Sequence, residues 1–345
     1  MITQVELKNF GPLDRVAWNG LGKINLVIGD NGAGKTFLLK SLYSAIRTLE
    51  EYRRGDSQRS VSDILTDKLR WTFQADKIGD LVDKRVDEPL TFRCRVNEAE
   101  FTYRFGKDTT SQIVDVETHV PPRASNSIFL PAKEVLSLHG IILETREKDL
   151  RFGFDDTYYD LAKALRFPSL PGPLQGLLQG KNYAEFAAAR VKLEEIFGGK
   201  IEYDEVSKKW SFRIGRQRFS IGVTAEGIKK IAILDTLLGN RYLDPRSVVF
   251  MDEPEAALHP SALTALLDIV AMLAECGIQF IMASHSYFVV KKLFLIAQEK
   301  KLSIPVIAPN NDTWCVADLK DGMPDNEIIA ESIRLYEQEV NRALR

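Results

Sequence analysis

An apolar run, Ile24 to Ile28, leads directly into G-D-N-G-A-G-K-T at residues 29 to 36, and a helical pattern follows at once. Strand, glycine-rich loop and helix in immediate succession point to an α/β fold whose first crossover cradles phosphate. Gly29, Gly32 and Gly34 permit backbone conformations that bulkier residues resist. The N–H groups of Asn31, Gly32, Ala33 and Gly34 can then curl around phosphate oxygens at a helix N-terminus. Lys35 is placed to reach the β- and γ-phosphates, and Thr36 to offer its hydroxyl to Mg²⁺. Behind the loop, Leu38, Leu39, Leu42, Ala45, Ile46 and Leu49 recur at helical spacing and give it a buried anchor.

A second segment, V-V-F-M-D-E-P at 248 to 254, completes the pattern. Residues 248 to 251 read as a buried strand whose C-terminal end delivers Asp252 and Glu253 to the crevice where α/β sheets bind ligands. Adjacent carboxylates can divide labour there. Asp252 is expected to hold the Mg²⁺ shell, and Glu253 to orient and deprotonate the attacking water. Pro254 ends the strand.

Composition excludes little but narrows the partners. The 46 Lys and Arg face 48 Asp and Glu, a formal charge of −2, so no global electrostatic footprint of nucleic-acid binding exists. Cys94, Cys276 and Cys315 are widely spaced, outside any metal-ligand pattern, and read as core or neutral positions in a reducing compartment. The N-terminus M-I-T-Q-V-E-L-K alternates like a strand rather than a signal peptide. No segment resembles an uncharged membrane span, the apolar helix from Ala262 to Ala274 carrying Asp268. A cytoplasmic location is expected.

Along the chain, strands are expected at Val5 to Lys8 and Leu13 to Trp18, with N-F-G-P at 9 to 12 as the turn between them. Residues 51 to 63, including Arg53, Arg54 and Ser57, read as a solvated loop or frayed helix end. F-R-C-R-V and F-T-Y-R-F, within 90 to 105, suggest a two-stranded element. The strand I-F-L-P-A-K-E at 128 to 134 precedes a switch to helical pattern over 135 to 198, broken by F-P-S-L-P-G-P at 167 to 173 and followed by a helix from Tyr183 to Phe197. Alternating strands return over Lys200 to Ile221. The expected partition is a head over 1–134 and 200–345 with an inserted helical lobe over 135–199.

Four further features make the chain resemble the ABC-type ATPase heads of the RecF, SMC and OLD group, and within it the small AAA-type ATP-binding proteins of prokaryotic defence systems. They are the asparagine of G-D-N-G-A-G-K-T, the segment V-T-A-E-G-I-K-K at 223 to 230 where that group carries its signature, D-E-P-E-A-A-L-H-P at 252 to 260, and F-I-M-A-S-H-S at 280 to 286. The resemblance implies a P-loop NTPase fold with a mixed sheet, bound ATP and Mg²⁺, and hydrolysis assisted by Glu253 and by His285 as the switch histidine. It also implies a homodimer with ATP at the interface, Gly227 facing the partner's γ-phosphate.

The chain departs from the pattern in two places. The signature keeps Gly227 but has Thr224 or Ala225 in place of its serine, and the expected Q-loop glutamine is replaced by L-P-A-K-E at 130 to 134. Lys133 or Glu134 substitutes there, or the segment is a structural loop. His259 either caps the helix after it or reaches across a dimer. Lys229 and Lys230 are expected on a solvated helix face.

No long heptad array is present, which sets the chain apart from coiled-coil SMC proteins. The tail segment D-L-K-D-G-M-P-D-N at 318 to 326 reads as a turn before a terminal helix, not as a nuclease site. The resemblance therefore implies a switch subunit that acts on a separately encoded effector. The alternative is a RecF-like DNA-binding ATPase of repair or recombination, for which Arg213, Arg216 and Arg218, with Lys208 and Lys209, are the candidate basic surface.

Overall fold

Alternation within single strands decides the architecture, because the strands in the middle of the main sheet bury both of their faces. In the computed structural model, which describes residues 1–56, 58–167, 181–310 and 313–344, the central sheet has six strands. The chain enters through β1 (Ile2–Phe10), β2 (Leu13–Asn19) and β3 (Ile24–Ile28), then forms the helices α1 (Lys35–Glu51) and α2 (Val61–Phe73). Strands β4 (Leu90–Val96), β5 (Ala99–Phe105), β6 (Asp115–Thr118) and β7 (Ile128–Leu130) precede α3 (His139–Glu147), α4 (Asp156–Leu165) and α5 (Lys181–Phe197). Next come β8 (Lys200–Asp204), β9 (Lys209–Ile214), β10 (Gln217–Ser220), α6 (Glu226–Gly239), β11 (Val248–Asp252), α7 (Pro260–Glu275), β12 (Gln279–Ser284) and α8 (Tyr287–Lys300). The hairpin of β13 (Pro305–Asn310) and β14 (Thr313–Asp318) and the helix α9 (Glu327–Ala343) close the described chain.

The central order is β14-β13-β3-β12-β11-β7, parallel except for the antiparallel β14. Successive residues of each strand feed two cores: Phe280 and Met282 of β12 face one, Ile281 and Ala283 the other. On the first side lie α4, α6, α7 and α8. On the second, α1 is enclosed between the central sheet and an antiparallel sheet ordered β2-β1-β4-β5-β6. The two-stranded element expected over 90 to 105 is therefore the middle of five strands. β8, β9 and β10 form a separate three-stranded sheet.

Enclosure of α1 puts charge into the core. Asp160 of α4 accepts from Tyr43 Oη at 2.7 Å and from Lys68 Nζ at 3.2 Å, with Arg47 Nε at 3.4 Å. Arg47 also pairs with Glu50 and Glu51, and Lys68 with Glu51 and Asp156. The network joins α1, α2 and α4. Lys40 of α1 adds a 2.6 Å pair to Asp155, the N-cap of α4.

The described residues from 53 to 60 are exposed, as expected of a solvated loop, between α1 and α2, which opens on Ser60 and Asp63 in a reciprocal cap. Ser57 and residues 168–173 of the proline-rich break lie outside the described residues. Lys229 and Lys230 are buried rather than solvated, at 4% and 7% exposure, because α6 is packed on both of its lysine-bearing sides. Cys94 and Cys276 are buried and Cys315 exposed, all as free thiols. Among the described residues no helix is long and apolar enough to cross a membrane.

Candidate nucleotide site

Gly34, the N-cap of α1, has φ 87°, and a Cβ there would sit 2.7 Å from Leu13 Cδ2. Only glycine serves at that turn. Lys35 begins α1, buried, its Nζ donating to Gly29 O at 2.7 Å and Asp30 O at 2.8 Å. Burial lowers its pKa, against the pull of Glu253, Asp252, Asp30 and Glu255. Asn31, Gly32, Gly34, Lys35 and Thr36 line a cavity of about 460 Å³ together with Phe37, Lys40, Thr72, Phe73, Gln74, Asp155 and Glu253. Ala33 keeps the turn, its N–H donating to Asp30 O at 3.2 Å.

The acidic strand arrives as the sequence suggests. β11 pairs in parallel with β12 and β7, and its last residue, Asp252, takes hydrogen bonds from Thr36 Oγ1 at 3.1 and 2.9 Å. Burial raises the Asp252 pKa, and the Thr36 hydroxyl opposes the rise. A hydroxyl and a carboxylate converging beside the phosphate loop make a hard-oxygen donor set that suits Mg²⁺. Among the described residues no group of three His, Cys, Asp or Glu forms a metal cluster. A cation held here would need phosphate oxygens and water as well.

Glu253 turns away from the strand with φ 47°, its N–H donating to Ala283 O at 2.9 Å. His285, delivered by β12, places Nδ1 3.3 Å from Glu253 Oε1 and 3.7 Å from Glu255 Oε1. Glu255 accepts from Ser284 Oγ at 2.8 Å and from His285 N at 3.3 Å. Lys35, Thr36, Asp252, Glu253 and His285, drawn from three parallel strand ends, thus face one region. Gly227 does not reach the cavity within this chain. It is buried, and a Cβ on it would lie 2.5 Å from Ala257 O, so close packing of α6 on the 253–258 turn accounts for the glycine.

Other residues settle into supporting places. His259 caps α7, accepting from Ser261 N at 3.3 Å. Lys133 is exposed, whereas Glu134 accepts from Ser137 N at 3.0 Å and pairs with Lys229 at 3.4 Å. Sequence reasoning gave no role to Lys230, Glu255 or the α2 wall of Thr72, Phe73 and Gln74. Lys230 Nζ donates to Glu253 O and, at 3.5 Å, to Asp252 O; burial lowers its pKa to about 8. The capping pair Ser60 and Asp63 was the available signal for α2.

Comparison with known proteins bears on the family and the fold. Residues 24–291 match the family described as "AAA domain, putative AbiEii toxin, Type IV TA system". An "ATP/GTP phosphatase" of Helicobacter pylori (strain ATCC 700392 / 26695) is 22% identical over 362 residues, covering 87% of this chain and 89% of the relative. Among solved structures, an Smc head bound to the C-winged helix domain of ScpA covers 92% of this chain and 97% of its own, with TM-score 0.55 and 14% identity. An Smc head with extended coiled coil, bound to the C-terminal domain of ScpA derived from Pyrococcus furiosus, covers 98% of each chain, with TM-score 0.51 and 14% identity. The phosphate loop, the acidic strand and the family match over both lead to one conclusion: the chain belongs to this AAA ATPase family and has the P-loop fold of an ABC-type head.

Proposed function

We propose that the chain is a Mg²⁺-dependent ATP-hydrolysing switch that dimerises on ATP and acts on a separately encoded effector of a defence or toxin-like system. The observation that carries the reading is the convergence of Lys35, Thr36, Asp252, Glu253 and His285 at the C-terminal ends of β3, β11 and β12, where Thr36 meets Asp252 and His285 meets Glu253. Thr36 and Asp252 hold Mg²⁺, which when bound offsets phosphate charge. Glu253 takes a proton from the water whose oxygen bonds to the γ-phosphorus as the bond to the ADP oxygen breaks. His285, beside Glu253, contacts the γ-phosphate. Gly227, through its backbone N–H, meets the partner's nucleotide, and the partition into head (1–134 and 200–345) and helical lobe (135–199) belongs to the same reading.

The family description supports the toxin-like context, and the Smc heads bound to ScpA support partner binding by this fold. The exchange of ATP for ADP does useful work only through differential affinity for two assemblies. Light scattering of Glu253→Gln protein should therefore read a doubled mass with Mg-ATP and a single mass with ADP. One mass under both conditions rejects the dimer.

Lys35→Ala tests the nucleotide assignment itself. Loss of a charge-assisted hydrogen bond of roughly 1.5–3 kcal/mol should weaken ATP binding about ten- to a hundredfold in a calorimetric titration. Parent-like affinity contradicts the role of the loop.

A second reading, a DNA-binding ATPase of repair or recombination, is favoured by one row of charge. Lys200, Arg213 and Arg218 lie opposite one another across β8, β9 and β10, although Arg213 is paired with Glu202 at 2.7 Å. Salt-sensitive DNA binding lost on joint substitution of Arg213, Arg216 and Arg218 supports it; no binding at ~50 mM salt removes it.

A further inference from the structure

Lys230 is a buried cation held in an unusual way. Its ammonium donates to the backbone carbonyls of Asp252 and Glu253, and among the described residues it makes no ion pair with a carboxylate within 4 Å. Its neighbour shows the ordinary alternative: Lys229 Nζ donates to Ser137 Oγ at 2.9 Å and pairs with Glu134. A buried charge without a carboxylate partner is expensive, and an apolar side chain of similar length satisfies packing alone. Its retention asks for a reason beyond stability.

The turn it holds supplies the reason. Glu253 at φ 47° and Ala257 at φ 62° are both left-handed without being glycine, a conformation that persists only where the surroundings over-determine it. From β12, Ala283 O takes the Glu253 N–H. From α6, Lys230 donates to the carbonyls of Asp252 and Glu253, one on each side of the Glu253 Cα, and Gly227 lets the helix approach Ala257 closely enough for that reach. The charged groups around the ammonium are Asp252, Glu253 and Glu255.

We propose that Lys230 is a positioning residue for hydrolysis, fixing the left-handed turn that aims the Glu253 carboxylate. The inference rests on the reading of Glu253 as the base. Because Lys230 and Gly227 lie on one helix, the turn also moves with the segment assigned to the partner's nucleotide. Displacement of α6 then withdraws the base without touching the phosphate loop.

The test is steady-state kinetics on the full chain with Mg-ATP. Lys230→Met keeps the stem and removes the donor; kcat should fall about ten- to a hundredfold, the scale of a 1 Å misplacement, with KM within about threefold of the parent. Lys230→Arg, which keeps a cationic donor, should recover part of the loss. In a Glu253→Gln background Lys230→Met should add nothing, because the group it aims is already gone. If the Met variant does not fold, Lys230→Gln carries the same measurements, its shorter stem drawing the amide back from the carbonyls. Unchanged kcat, a rise in KM that accounts for the whole effect, or an equal loss in both backgrounds overturns the proposal. Full turnover by Glu253→Gln alone refutes the base assignment separately.

Discussion

Glu253→Gln protein should bind ATP like the parent and hydrolyse it about a hundred- to ten-thousand-fold more slowly, the usual worth of a positioned general base. The amide matches the carboxylate in shape and can still accept a hydrogen bond, so the contact facing His285 Nδ1 at 3.3 Å has a substitute. What it cannot do is take a proton from water. The turn should survive, since Glu253 is fixed through its backbone by Ala283 O and Lys230. Phosphate-release kinetics and a nucleotide titration on the same preparation separate chemistry from binding. Turnover within a few fold of the parent would move the base to another residue, with Glu255 the next carboxylate beside His285.

Asp160→Asn should lower folding stability by about 3–5 kcal/mol, the cost of breaking a buried ion pair from one side. Asp160 is 5% exposed and stands between α1, α2 and α4. Burial disfavours its charge, but Lys68 and Arg47 outweigh burial, and its pKa lies well below the usual carboxylate range. Asparagine fills the same space while leaving Lys68 with Asp156 and Glu51, and Arg47 with Glu50 and Glu51. Urea unfolding measures the difference. A loss below about 1 kcal/mol would mean that the remaining carboxylates compensate fully, as replaced buried ion networks sometimes allow.

Residues 24 to 36 and 248 to 254 were legible because their strands are short, mostly apolar runs that end in the motif itself. His285 was legible for the same reason, at the end of β12. The lysines of α6 were not. Two adjacent lysines on a helix look solvated, and only tertiary packing turns one toward Glu134 and the other toward the Asp252 carbonyl. β13 escaped notice because P-V-I-A-P-N begins with one proline and contains another, which argues against an interior strand. Helix α2 was hidden by a polar entrance, and with it the wall of Thr72, Phe73 and Gln74. Asp160 gave no local sign at all, since every group that holds it comes from an element at least ninety residues earlier in sequence.

The position of β3 in the sheet also sets a chronology for the protein's manufacture. Its neighbours are β12 and β13, residues 279–284 and 305–310, so the strand that presents the phosphate loop stays without sheet partners through most of synthesis. Gln279 repeats the pattern by clamping Ile2, donating to its carbonyl and accepting from its amide at 2.8 Å each. Long-range parallel pairing of this kind is slow and exposes apolar strands meanwhile. The nascent chain therefore carries its phosphate loop long before the two strands that flank it exist.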